Sequence, residues 1–182
     1  STLLALSLTM LICAGWQGTR AFRWLERALS PLLSVPHAAA AFGLAFLIAP
    51  SGWIARALAP LLGWERPPDL LILQDPWGLS LIAGLVVKEL PFLLLMTLAA
   101  LPALRPGQSL ATARSLGHGR SAGWLKTVFP RLYPQIRLPV YAVLAFSMSV
   151  VDVALILGPN TPPTLAVQVL RWMNAVSYTH LT

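Results

Sequence analysis

Acidic side chains are scarce in this sequence: six Asp and Glu stand against thirteen Lys and Arg, a formal net charge of +7 over 182 residues. Charged residues of both signs make up only 10% of the chain, too few to cover an ordinary soluble domain of this size. Cysteine is nearly absent. Cys13 alone, inside an apolar run, excludes an internal disulfide and is expected to be a small buried hydrophobe. No GxxxxGK[ST] phosphate loop, no metal-spaced His/Cys cluster and no nucleophile-base pair occurs, so the chain is not expected to be an enzyme or to carry a cofactor or metal. The basic excess suggests nucleic acid. No recognised nucleic-acid motif or stacking platform accompanies it, however, and most basic residues lie between apolar runs, where membrane topology accounts for them; no nucleic-acid partner is expected.

What is present is hydrophobicity, 57% of the residues, concentrated in long runs that point to a polytopic membrane protein. Thr2 to Ala14 is apolar and uncharged but shorter than the roughly twenty residues a span needs, and reads as the remaining end of a truncated helix. A cleaved signal peptide is the rival reading, against which stands the absence of a basic segment before it. Arg20, Arg23 and Arg27 against Glu26 read as a net-positive inner loop. A second span is expected over Ser34 to Ala49, beginning nearer Leu29 if Pro31 and Pro36 are accommodated, with His37 as a structural residue just inside it. Ser51 to Gly78, slightly acidic and carrying Trp53, Trp64 and Trp77, reads as an outer connection. Leu79 to Leu101 is a third span, Val140 to Leu157 a fourth, and Thr164 to Trp172 begins another after the tight turn Gly158 to Pro163.

The organising segment is Ser109 to Pro130, SLATARSLGHGRSAGWLKTVFP. Ser109 is a plausible cap for a short helix with Leu110, Ala113 and Leu116 on one face, and Gly117 and Gly119 stop it. Ser121 can cap a second helix carrying Trp124, Leu125 and Val128, which Pro130 is expected to end. Between Pro102 and Pro139 six basic residues meet no acid, which places the segment inside. The expected fold is therefore all-α, a helix bundle of about five spans with an inner helix-elbow-helix loop.

That loop resembles the EAA loop of the membrane-spanning permease subunits of bacterial binding-protein-dependent ABC importers. Ala113 falls on the second alanine of the motif, Gly117 on its glycine and Thr127, Val128, Phe129 and Pro130 on its hydrophobic-proline ending, with the family spacing kept. Ala111 stands where the family usually has Glu and Thr112 where it has the first Ala. The resemblance runs from about Leu32 to about Trp172 and is nearest the subgroup that includes thiamine and iron(III) permeases. It implies a permease domain over residues 1–176, truncated at its N-terminus and expected to be truncated at its C-terminus, with 177–182 an off-pattern tail read as a foreign junction. It also implies a multi-pass protein of the bacterial inner membrane with three partners: an ATPase subunit, a second permease half or copy, and a periplasmic solute-binding protein. Ala111, Thr112, Ala113, Arg114, Ser115, Leu116, Gly117 and Pro130 would then carry the coupling to the ATPase.

Three charges interrupt the apolar runs: Lys88 and Glu89 in the middle of the third span and Asp152 in the fourth. A charge at mid-membrane costs about 2.5 to 3.5 kcal/mol on insertion scales, so these side chains should face protein or water. With Pro91 just beyond them they read either as a buried structural ion-pair cluster or as the lining or gate of a translocation path. Their depths suggest that Lys88 and Asp152 approach one another. A rival function, an ion-coupled secondary transporter, would use Lys88, Glu89 and Asp152 as its coupling charges.

Overall fold

The computed structural model describes residues 1–16, 18–66 and 71–179. Every regular element among them is helical, apart from a single bridge between Asn160 and Pro163, as an all-α fold requires. The chain forms two compact units, Ser1–Ser34 with Val86–Ala145, and Val35–Leu85 with the residues from Phe146 onward.

In the first unit α1 (Thr2–Trp16) is the apolar run expected, and α2 (Arg20–Ser34) replaces the expected inner loop. The reason is periodicity that the arginines obscure: Phe22, Leu25 and Leu29 recur on one face, and Phe22 and Leu29 are buried while Arg23, Glu26 and Arg27 remain outside. Those residues join Leu93, Leu94, Leu101, Trp124, Leu132 and Ile136 in one core.

In the second unit the run expected to begin near Leu29 is cut at Pro36. This residue lacks an amide, adopts φ −58° and ψ 146°, and starts α3 (His37–Ile48). A turn at 49–52 leads to α4 (Trp53–Leu62), a helix inside the stretch expected to be an outer connection. The Leu79 span holds as α5 (Leu79–Leu104), three residues longer than expected. Two stretches, His37–Leu62 and Leu79–Leu104, are long and apolar enough to cross a membrane, while Thr2–Trp16 is apolar but shorter.

The inner segment gives α6 (Pro106–Ser115) and α7 (Arg120–Gly123). Proline does not end the second short helix as expected. Instead a wider π-type stretch, Trp124–Val128, carries it into α8 (Phe129–Ser149). The Phe129 amide reaches back five residues to the Trp124 carbonyl, and this widening makes room for the Pro130 ring at a place where an ordinary turn would clash.

The expected span from Val140 to Leu157 is likewise broken, at Val150 and Val151, and restarts as α9 (Asp152–Leu157). Asp152 then sits in a first helical turn, where a carboxylate complements the dipole. Gly158 to Pro163 forms the expected turn, and α10 (Leu165–Thr179) follows. The off-pattern tail lies partly in α10, and residues 180–182 lie outside the described residues.

A carboxylate fastens the start of α5. Asp75 Oδ2 accepts from the Leu79 amide at 2.8 Å and Oδ1 from the Ser80 amide at 3.0 Å. The Ser80 hydroxyl is shared between Asp75 Oδ1 at 2.8 Å and the Leu157 carbonyl at 2.7 Å, tying this end of α5 to the end of α9. Burial pushes the Asp75 carboxyl up, but these donors outweigh it and hold it below its ordinary value. Because its folded pKa is depressed, the cap contributes fully above the unfolded value and fades as pH falls through the folded one. Asp75→Ala should cost about 1 kcal/mol at neutral pH and flatten the loss of thermal stability below about pH 4. Melting curves of both proteins across that range check this.

Candidate functional site

Many large apolar side chains are exposed, while two charges of α5 are buried. Lys88 and Glu89 are 7% and 3% exposed, whereas Leu61 and Leu138 are 80% and 72% exposed. An apolar exterior with charges turned inward is what lipid selects.

The elbow between α6 and α7 is a Schellman turn. Gly117 sits at φ +77°; its amide donates to the Arg114 carbonyl at 2.9 Å, and the His118 amide donates to the Ala113 carbonyl at 3.0 Å. Ala113 is buried, and a Cβ added to Gly123 would come within 2.9 Å of the Ala113 Cβ, so the two short helices touch through their smallest residues. The buried Trp124 anchors the pair to the core.

Leu116 departs from the face assigned to it. It has left α6 at the elbow and stands 71% exposed, an apolar tip beside exposed Ala111, Thr112, Arg114, Ser115 and Gly117. Pro130 is also exposed but lies in α8, beyond the π-type stretch.

Sequence reasoning missed what fixes this loop to the rest of its unit. Arg120 Nε donates to the Ala14 carbonyl, 3.2 Å away, in the last turn of α1, where carbonyls have no intrahelical partner and a cation suits the dipole. Lys126 Nζ lies 3.1 Å from His118 Nε2, across the elbow. The signal for Arg120 was its lack of any acid within reach in the sequence, which leaves backbone carbonyls as its natural acceptors.

The charges in α5 separate by role. Lys88 Nζ donates to the Leu32 carbonyl at 3.2 Å. In a continuing helix that carbonyl would take the amide of residue 36, but residue 36 is proline, so the lysine supplies the donor the sequence removes. Asp152 is exposed at the start of α9. Glu89 Oε1 accepts from the Ser1 hydroxyl at 2.9 Å, while its Oε2 and the Thr97 hydroxyl further along α5 are buried without hydrogen-bond partners among the described residues. Pro91, also buried, withholds from the Val87 carbonyl the amide that an ordinary helical residue would supply.

The chain is 36% identical over 166 residues to the inner membrane ABC transporter permease protein YnjC of Escherichia coli (strain K12). The likeness supports the ABC transporter permease family. The match covers 90% of this chain but 30% of that permease, so the chain spans less than a third of its relative's length. No family model and no solved structure matches.

If Lys88 serves the Leu32 carbonyl, Lys88→Met should lower thermal stability by about 1–3 kcal/mol, the cost of an unsatisfied buried acceptor. In a Pro36→Ala background, which returns an amide near that carbonyl, the same change should cost less. A thermodynamic cycle over the four proteins reads this coupling, and additive losses would contradict it.

Proposed function

We propose that the chain is part of the permease of an ATP-driven importer in a bacterial inner membrane, crossing it about five times and forming a solute path. The observation that carries this reading is the 36% identity to an inner membrane ABC transporter permease over nine-tenths of the chain. The apolar exterior and the inward charges support it. The rival reading, a secondary transporter coupled through Lys88, Glu89 and Asp152, has no comparable support.

In this reading the loop 109–130 lies inside and docks a separate ATPase subunit. Leu116 and the exposed side of α6, Ala111, Thr112, Arg114 and Ser115, form the contact, and Gly117 sets the elbow's angle. Motion of α6 then passes through the Ala113–Gly123 crossing to Trp124 and the core, and through Arg120 to the end of α1, so a push on the peg reaches two apolar helices. Pro130 and the π-type stretch before it form the flexible joint to α8. The helices open inward or outward as rigid bodies. Glu89, with Lys88, Pro91 and Asp152, lines or gates the path, and the unpartnered Glu89 oxygen is the group most able to meet a passing solute or water. A second permease half or copy encloses the path, and a periplasmic solute-binding protein delivers the cargo. The thiamine and iron(III) subgroup remains the nearest resemblance for the EAA-type motif.

Gly117→Val tests the coupling. At φ +77° an L-residue is strained by about 1–2 kcal/mol, and nothing lies within 4 Å of a Cβ there, so the change acts on the elbow alone. The intact transporter carrying it should insert normally yet lose most solute uptake per ATP hydrolysed. Unchanged uptake with normal ATPase binding would overturn the docking role.

A further inference from the structure

At the junction of α5 and α6 lies an open cavity of about 340 Å³ that the proposed coupling role does not use. Arg105 and Arg131 flank it, with the side chains of Gln108 and Ser109 between them and Leu104, the last residue of α5, as an apolar wall. Arg131 Nη1 donates to the Ser109 hydroxyl at 3.3 Å, which draws the second guanidinium to the first turn of α6. Neither arginine forms an ion pair among the described residues, and no Asp or Glu occurs between Pro102 and Pro139 to neutralise them. The polar part of the lining is rich in donors, two guanidiniums, the Gln108 amide and the Ser109 and Thr112 hydroxyls, reinforced by the positive end of α6. Such a set matches the planar, multi-acceptor edge of a phosphate, which guanidinium forks bind in bidentate fashion.

We propose that this cavity is a binding site for a phosphate group, supplied by the headgroup of an anionic phospholipid. Position favours the lipid over a soluble ion. The cavity opens at the last turn of a 26-residue apolar helix, so a phosphate held there leaves its acyl chains running back along Leu104 and the helix. The exposed arginines thereby gain an anionic partner that no described residue provides, and the start of α6 is held at the membrane surface. This assignment rests on the proposed function only in placing that end of α5 at the inner face.

The experiment uses the intact transporter with its ATPase, reconstituted in nanodiscs of phosphatidylcholine containing phosphatidylglycerol, with the retained lipid measured by native mass spectrometry. The wild type should retain phosphatidylglycerol over phosphatidylcholine by about tenfold, and Arg105→Gln with Arg131→Gln should abolish the preference. Arg137→Gln, an exposed cation in α8 away from the cavity, should leave it intact. An unchanged preference in the double variant, or an equal loss in Arg137→Gln, would overturn the site in favour of a generic basic surface. Displacement of the lipid by millimolar inorganic phosphate would keep the phosphate chemistry and assign it to the soluble ion, overturning the lipid source. Retained ATPase in each variant confirms folding. The inner-face placement is read separately: in a Cys13→Ser background on intact cells, a membrane-impermeant thiol reagent should label Ser51→Cys and spare Ser121→Cys. The reverse would sink the topology while the phosphate preference stands.

Discussion

A backbone carbonyl or amide removed from water must find a partner, and this chain sharpens that demand with sixteen prolines in its sequence, several of them inside helices. Each proline withholds one donor, and the structure can be read as a set of replacements. Lys88 gives its ammonium to the Leu32 carbonyl that Pro36 cannot serve. The π-type stretch ahead of Pro130 shifts the helical bonds by one residue so that the chain continues unbroken. Arg120 serves an end carbonyl of α1, and Asp75 serves the first amides of α5. Charged side chains that look costly in a membrane segment are thus partly explained by the backbone they satisfy.

The same constraint separates the polar groups by function. Those with partners hold elements together, and those without them are available. Glu89 Oε2 and the Thr97 hydroxyl, both buried on α5, belong to the second kind. Burying such groups unpaired costs about 1–3 kcal/mol each. The elbow shows the opposite economy. Gly117 and Gly123 let two short helices turn sharply and pack tightly, and a large apolar residue, Leu116, projects from the tip.

Much of this was legible in the residues. The helical class, the α5 span and the elbow at Gly117 follow from apolar run length and from glycine's access to positive φ. The second half of the loop was not, because the rule that proline ends a helix overlooks the π-type turn that accommodates it. Nor was α2, whose arginines suggested a loop while Phe22, Leu25 and Leu29 carried a helical stripe between them. The break before Asp152 was hidden by an uninterrupted apolar run, in which hydropathy is blind to where a helix restarts. The bond from Lys88 to the Leu32 carbonyl was not legible either, because that carbonyl is freed by a proline more than fifty residues earlier. Side chain to backbone bonds of that kind leave no mark in a pattern of charges.

The central claim is that the tip of the α6–α7 elbow meets an ATPase. Site-directed cross-linking from Leu116→Cys in the intact transporter addresses it most directly, since that side chain stands free at the tip. The account predicts an adduct between the permease and the ATPase whose yield changes with nucleotide state, and no adduct from Trp53→Cys, which the proposed topology puts outside. An active transporter that gives no adduct from Leu116→Cys, or gives one equally from Trp53→Cys, would contradict it.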